Sequence, residues 1–492
     1  MANVSSLGIG SGVLTSELVT SLLDAEREPA EALLDLEKEG LESEISAIGK
    51  LKSSLSQFQA ALNSLDSVSD FNKRVANSGD EELFTATADG SAVSGSYNIE
   101  VDVLAEAHKL ATTAFTTSEA IGTGTLTITV GSDSFSLDID SSNNTLAGIQ
   151  GAINSSTSNT GVTATLITDD DGTKLVFTSD ETGTANDITI TVANDGDGDD
   201  DDNVDGLSRL YYDPNATPSS ITNLTELNAS VDAVVFIDGL TVTSSSNAVE
   251  GAIEGVTLNL LDVSADGVTD TLDVSLDKEG AKESINAFIE AYNSFIKTAD
   301  ELSSFDAETG EKSALFGDAT LRSVLNQIRR EVTNEVDGLR FTTLSVLGIT
   351  SRGTSGLASE KDASGNVIII PAGSLVLEDN PDLLGDALDL DFDAVGDLFS
   401  SSNGIAKRLS DLVDTYNDDT LSSDGILDAR IDTLNDELTD VDVRRSTLLT
   451  RLSAREAVLA SKFAAADAII ASLNTTSDFL TQNLVGLNKS DD

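Results

Sequence analysis

The sequence predicts an α+β multidomain chain, nested so that a terminal α-helical coiled coil and a helical domain enclose two inserted β-rich domains. Three observations carry this. Apolar residues recur at heptad spacing near both ends, they alternate every second residue through the middle, and helical spacing returns before the second heptad stretch. An unpaired seam at each end would face water, so the economical arrangement brings the ends together and loops the strands out between them.

The first heptad stretch follows Pro29. Leu34, Leu41, Ile48, Leu55 and Leu62 recur every seven residues, and Ile45, Leu51, Phe58 and Leu65 fill the alternate seats. The period then becomes two. Tyr97, Ile99, Val101 and Val103 alternate with polar residues, and Leu126, Ile128 and Val130 lead through Gly-Ser-Asp into Phe135, Leu137 and Ile139, which reads as a hairpin. A second hairpin is expected in VTATLITDDDGTKLVFTS, with Asp171 and Gly172 at its turn. Between them a short helix places Leu146, Ile149 and Ile153 on one face, and further strands are expected in AVVFIDGLTVTSSSNAVEGAIEGVTLNLLDV and DTLDVSLD.

Helices return with the stripes Ile285, Phe288, Ile289, Tyr292, Ile296 and Leu321, Val324, Leu325, Ile328, Val332. The second heptad stretch runs through Leu427, Ile431, Leu434, Leu438, Val441, Leu448, Leu452 and Leu459, continued by Ile469 and Leu473. Arg445, Arg455 and Lys462 occupy seam positions, where a cation costs stability and fixes register or partner. The terminal segments hold further large apolar residues, Leu18, Leu22, Leu34 and Leu41 from the start and Leu459, Phe463, Ile469, Ile470, Leu473, Phe479 and Leu480 from the end. They are read as two short helices, marginal alone, that gain full order on docking.

Composition narrows the function. The net charge is −57, from 85 acidic against 28 basic residues, which repels nucleic acid and anionic lipid and reads as adaptation to a salty medium. Cysteine is absent, which excludes disulfides, thiolate metal sites and cysteine nucleophiles. No stretch reaches the roughly 18 to 20 apolar residues of a membrane span, and the start does not resemble a cleavable signal. No Trp and five Tyr leave few platforms for sugar rings. His108 is the single histidine, without a recognisable nucleophile beside it, and reads as structural. Asp201, Asn203, Asp205 and Gly206 match the opening of an EF-hand-type loop, but Tyr212 stands where the closing carboxylate belongs, so the acidic run reads as a solvated loop and not a metal site. GIGSG, Gly8 to Gly12, lacks the Lys of a phosphate loop and reads as a flexible leader. No cofactor and no enzyme activity are expected.

Six segments in order carry a resemblance: GIGSGVLTSELVTSLLDAEREP, GSYNIEVDVLAEAHKLAT, IDGLTVTSSSNAVEGAIEGVTLNL, SINAFIEAYNSFI, LFGDATLRSVLNQIRREV and LASKFAAADAIIASLNTTSDFLTQNL. The chain resembles the bacterial flagellar filament-capping proteins, the hook-associated protein type 2 family. The stretch from Leu146 to Ile190 resembles a module shared by flagellins and hook-associated proteins. The resemblance implies an oligomeric ring, commonly of five subunits, at the distal tip of the filament. The implied domains are a leg of 1–40 plus 445–492, a helical domain of 41–82 plus 277–444, a β-rich domain of 83–118 plus 222–276, and an inserted β-rich domain of 119–221. The coiled-coil leg would contact flagellin, which makes those terminal apolar residues the candidate partner-binding set, and the ring would retain exported flagellin while it folds and inserts. It also implies secretion through the flagellar type III export apparatus with an export chaperone, and neither nucleic acid binding nor membrane insertion. A flagellin or hook–filament junction protein, and a tip adhesin binding surface glycans, stay open as alternatives.

Overall fold

The computed structural model describes residues 16–116, 118–195, 205–216, 221–352, 358–361, 367–378, 382–417 and 425–488. The helices in chain order are α1 (Ser16–Leu62), α2 (Leu146–Ser155), α3 (Lys278–Ser303), α4 (Ala319–Thr333), α5 (Leu383–Leu390), α6 (Phe392–Ser400), α7 (Ile405–Asn417) and α8 (Ile426–Asn488). The chain divides into two units, Met1–Phe71 with Lys278–Asp492, and Asn72–Asp277.

The first unit is helical. Its packing centre is Phe58 of α1, fully buried against Phe288, Tyr292 and Phe295 of α3 at ring distances of 5.9, 6.0 and 6.1 Å. Phe288 and Tyr292 lie on the stripe that helical spacing assigns to the core, and Phe295, outside that stripe, is buried beside them. The Tyr292 hydroxyl donates to the Gly373 carbonyl at 3.0 Å, and burial pushes its pKa up to about 12. Aspartates cap the N-termini of three helices: Asp318, Asp382 and Asp391 accept from the amides of Leu321, Gly385 and Ala394.

The terminal seams lie on two long helices, which corrects the expectation of two short ones: α1 has 47 residues and α8 has 63. The reason is that nucleation is costly and propagation is not, so a helix anchored in a packed body extends outward at little further cost. Pro29 lies inside α1 and does not end it. Proline withholds the N–H that the carbonyl four residues earlier would accept, and its ring crowds that carbonyl, yet the helix runs on through a segment where side chains of α8 tie it down on both sides of the proline.

The second unit holds two apolar cores under antiparallel sheets. One core, with Phe84, Ile99, Val101, Val235, Leu258 and Leu272, lies between a sheet ordered 74–78, 270–276, 95–103, 233–237, 240–244 and a second ordered 248–253, 256–260, 84–88. The other, with Leu126, Ile128, Ile149, Ile153, Phe177 and Ile190, lies beneath strands 221–222, 212–213, 188–193, 124–130, 133–139, with α2 and the strands 225–228, 109–111, 172–179, 162–169. Between the cores the chain crosses twice, and the crossings pair through Glu106 and Val231, amide to carbonyl in both directions at 2.9 and 3.2 Å.

The hairpin of Leu126 and Phe135 pairs Val130 with Asp133, leaving Gly131 and Ser132 as the loop, and Gly131 takes φ +58°. The second hairpin differs by one position from the expectation: Asp169 pairs with Gly172, so Asp170 and Asp171 form the turn. The Asp169 carboxylate accepts from the amides of Asp171 and Gly172 at 3.0 and 3.2 Å, and this local bond fixes the tip one residue earlier than the Asp-Gly signal.

Candidate functional site: the paired terminal helices

α1 and α8 run antiparallel. Their register can be read from the cross-helix ion pairs Lys52–Asp428, Lys38–Asp442, Arg445–Asp35 and Arg455–Glu26, since each step forward on α1 is matched by about one step back on α8. Arg430–Glu44 at 2.6 Å and Arg444–Glu37 add to the ladder. Between the helices the seam is buried at Ala47, Ile48, Leu51 and Leu55 on α1 and at Leu427, Leu434, Val441, Leu448 and Leu452 on α8.

Two of the seam cations are answered by α1. Arg445 pairs with Asp35, and Arg455 with Glu26 at 3.1 Å. These pairs offset the cost of seating a cation in an apolar row, and they can form in one register alone, which is how a polar seat selects alignment. Lys462 makes no ion pair among the described residues.

The candidate residues fall into two groups. Leu34, Leu41, Leu459, Phe463 and Ile470 are half-buried, as is Leu18. Leu22 is 47% exposed, and Ile469, Leu473, Phe479 and Leu480 are 61, 62, 65 and 55% exposed. Continuing the register sets Leu459 level with Leu22 and Lys462 level with Leu18. Ile469, Leu473 and Leu480 recur at steps of four and seven, so they share one flank. The three span about 17 Å at ~1.5 Å per residue, and an exposed apolar stripe of that kind marks an interaction surface.

Leu33 and Val458 are also exposed, and neither was selected in the sequence. Both sit off the heptad seats, and an apolar residue off the seam was the available signal. Residues 1–15, with GIGSG, and the acidic run from 196 to 204 lie outside the described residues.

His108 is buried against Ile188 and Tyr212 of the second β core. Its Nδ1 accepts from the Ile188 amide at 2.8 Å, which puts the ring proton on Nε2, 3.4 Å from a Glu226 carboxylate oxygen. With the one free lone pair already bonded, the ring has none to act as a base. A cavity of about 180 Å³ opens beside it, lined by Asp187, Tyr212 and Glu226 among others. Burial first, then those two carboxylates, holds the Tyr212 phenol above its ordinary range. Among the described residues no cluster of three or more His, Cys, Asp or Glu side chains is arranged to hold a metal ion, and no helix is long and apolar enough to cross a membrane.

Comparison with known proteins matches three family models. Residues 11–108 match the flagellar hook-associated protein 2 N-terminus, 230–475 the flagellar hook-associated protein 2 C-terminus, and 125–181 the flagellin hook IN motif. The chain is 33% identical to the B-type flagellar hook-associated protein 2 of Pseudomonas aeruginosa, over 92% of this chain and 91% of that one. It is 31% identical to the flagellar hook-associated protein 2 of Escherichia coli, over 91 and 96% of the two chains. Among solved structures it is similar to the D1-D2-D3 domains of the flagellar cap protein FliD from Escherichia coli, with a TM-score of 0.62 and 30% identity over 79% of this chain and 99% of that one.

Proposed function

The chain belongs to the flagellar hook-associated protein 2 family and is a filament cap, and we propose that its paired terminal helices are the legs by which it grips the distal tip of the filament. The motif over 125–181 is named for flagellin and hook alike and does not choose among axial proteins; the two models that flank it do. The cap acts at the tip, where it promotes insertion of flagellin, and no covalent chemistry belongs to that role.

The observation that carries the leg assignment is the exposed stripe of Ile469, Leu473 and Leu480 on α8, with Phe479 beside it. Apolar cover supplied by filament subunits is worth about 1.5 to 3 kcal/mol for each large side chain fully buried. Several such contacts, made and broken in turn at neighbouring filament sites, let the cap step as subunits are added, provided the legs bind those sites with different affinity. On this reading the leg comprises 1–40 and 445–492, with Leu18, Leu22, Leu34, Leu41, Leu459, Phe463 and Ile470 holding the pair together or lining its contact with flagellin. The cap is a homo-oligomeric ring, and its subunits reach the tip through the flagellar type III export apparatus with the help of an export chaperone.

Removal of residues 1–40 and 445–492 tests the assignment. Because the cut leaves the packing around Phe58 and both β cores intact, the truncated chain keeps its strand signal and folds. It is expected to lose attachment to filament ends and to leave a cap-deficient strain immotile. Restored motility would refute the leg assignment.

A further inference from the structure

The leg has two oppositely charged sides. Along α1, acids occupy two heptad rows, Glu17, Asp24, Glu31 and Glu28, Asp35, Glu42. Along α8, cations that give way to apolar residues occupy the row beside the seam, Arg444, Arg451, Val458, and the far end of the seam row itself, Arg455, Lys462, Ile469, whose members are exposed. Residues seven apart share a face of a helix in a coiled coil, so each row is a continuous strip. The ion pairs tell which side each strip takes. Arg444 and Arg445 straddle the seam: Arg445 reaches Asp35 on the acidic side, and Arg444 reaches Glu37 on the other. Arg455 reaches Glu26 on that second side too. The acids of α1 and the cations of α8 therefore lie on opposite sides of the same two-helix leg.

Most of these charges are answered within the leg. Arg27 pairs with Asp24 and Glu31, Lys38 with Glu42, and Asp440 adds to Glu37 on Arg444. Among the described residues four exposed charges in the rows make no ion pair: Glu17 and Glu28 on one side, Arg451 and Lys462 on the other. Glu39 and Glu456 of the leg are also without one and leave the acidic excess larger. The cation side further carries exposed apolar residues, Val458 in the row of Arg451, and Leu33, which follows Glu26 by one heptad.

The spacing identifies the occupant. Glu17 and Glu28 are eleven residues apart, and so are Arg451 and Lys462. In the antiparallel register, Glu28 stands level with Arg451 and Glu17 with Lys462. A second copy placed alongside with no shift along the leg thus meets both charges at once. A copy related by rotation about an axis parallel to the leg is placed in that way, and a side that binds an opposite side generates a closed ring. A partner of unrelated sequence would have no reason to share the eleven-residue spacing or the level.

We infer that the legs of neighbouring copies dock side to side, the acidic strip of α1 in one against the cation strip of α8 in the next, with Glu28 opposite Arg451 and Glu17 opposite Lys462. This rests on the ring reading above and adds to it a leg-to-leg interface. The contact works against the repulsion expected between chains of net charge −57, and screening by salt weakens it, since its charges are exposed. The exposed side chains of Leu473 and Leu480 are not used in this contact and serve the filament.

The absence of cysteine allows a direct test. Glu28→Cys and Arg451→Cys, introduced together in the full chain, lie on opposite sides of their own leg and cannot bridge within it. Docked legs juxtapose them between copies. Mild oxidation with copper phenanthroline is expected to give a ladder of covalent species beyond the dimer in the double variant, reduced several-fold by molar salt, whereas either single variant stops at dimer. In parallel, the charge swap Glu28→Lys with Arg451→Glu should restore an oligomer that either substitution alone weakens. If the double variant shows no species beyond dimer while sedimentation finds rings, leg docking is overturned and the ring stands. If sedimentation finds no oligomer at all, docking is overturned together with the ring on which it rests.

Discussion

Replacing Arg445 by leucine should stabilise the leg. The side chain sits in the seam between buried Val441 and Leu448, about one-third exposed, and its Nε is buried with no acceptor. Its partner Asp35 is more than half exposed, so the ion pair contributes less than about 1 kcal/mol. Against that loss, a leucine facing Leu34 recovers roughly half of the ~1.5 to 3 kcal/mol of a fully buried apolar side chain. Removing the orphaned N–H relieves about 1 kcal/mol more. The net gain of about 1 to 2 kcal/mol corresponds to a factor of roughly 5 to 30 in the opening equilibrium. Amide hydrogen exchange measures this directly. Protection across residues 441–452 should rise by that factor, while amides of 285–296 in α3 stay unchanged. Unchanged or faster exchange in 441–452 would show that the cation stabilises its seat, and the reading of the seam would fail.

Three further outcomes follow from the packing, the caps and the charge. Phe58→Ala should destabilise the helical unit by about 3 to 5 kcal/mol, seen in calorimetry as a lowered transition with the β unit's transition in place; a single undisturbed trace would contradict the packing. The Asp382 carboxyl is held low by Lys282 and then by the Gly385 amide, and that of Asp391 by Arg340 and then by the Ala394 amide. For a depressed carboxylate the stabilisation is complete above its unfolded pKa and is lost as pH falls through the folded one. Urea midpoints should therefore fall as pH drops below about 4, and less steeply in the Asp382→Asn, Asp391→Asn double variant. Raising sodium chloride from a few millimolar to seawater level should raise the melting temperature of the whole chain, since screening relieves the repulsion of 57 excess negative charges; a melting temperature indifferent to salt would contradict it.

The heptads were legible because burial repeats at fixed spacing. Ile48, Leu55 and Leu62 on α1 and Leu427, Leu434, Val441 and Leu448 on α8 are buried where the pattern put them. The alternating strands were legible for the same reason, as in Ile99 and Val101. The register between the two ends was not, because nothing local aligns residue 35 with residue 445; the ion pairs do so only once both helices are built. The length of the helices was also hidden, since Pro29 reads as a boundary and its tolerance depends on α8. The turn at Asp170 and Asp171 was missed by one residue because a side-chain bond from Asp169 outweighed the Asp-Gly signal. Within the leg, apolar identity marked Ile469, Leu473, Phe479 and Leu480, but the exposure that sets them apart from Leu459, Phe463 and Ile470 depends on which face of α8 is covered.

The central claim is that the exposed stripe of α8 holds the cap to the filament. Electron microscopy of filament ends incubated with the purified full chain, and with an Ile469→Asp, Leu473→Asp, Leu480→Asp variant, tests it most directly. The unaltered protein should appear as a ring seated on filament ends. The variant should still form rings in solution and leave the ends bare. Filament ends capped by the variant as often as by the unaltered protein would contradict the account.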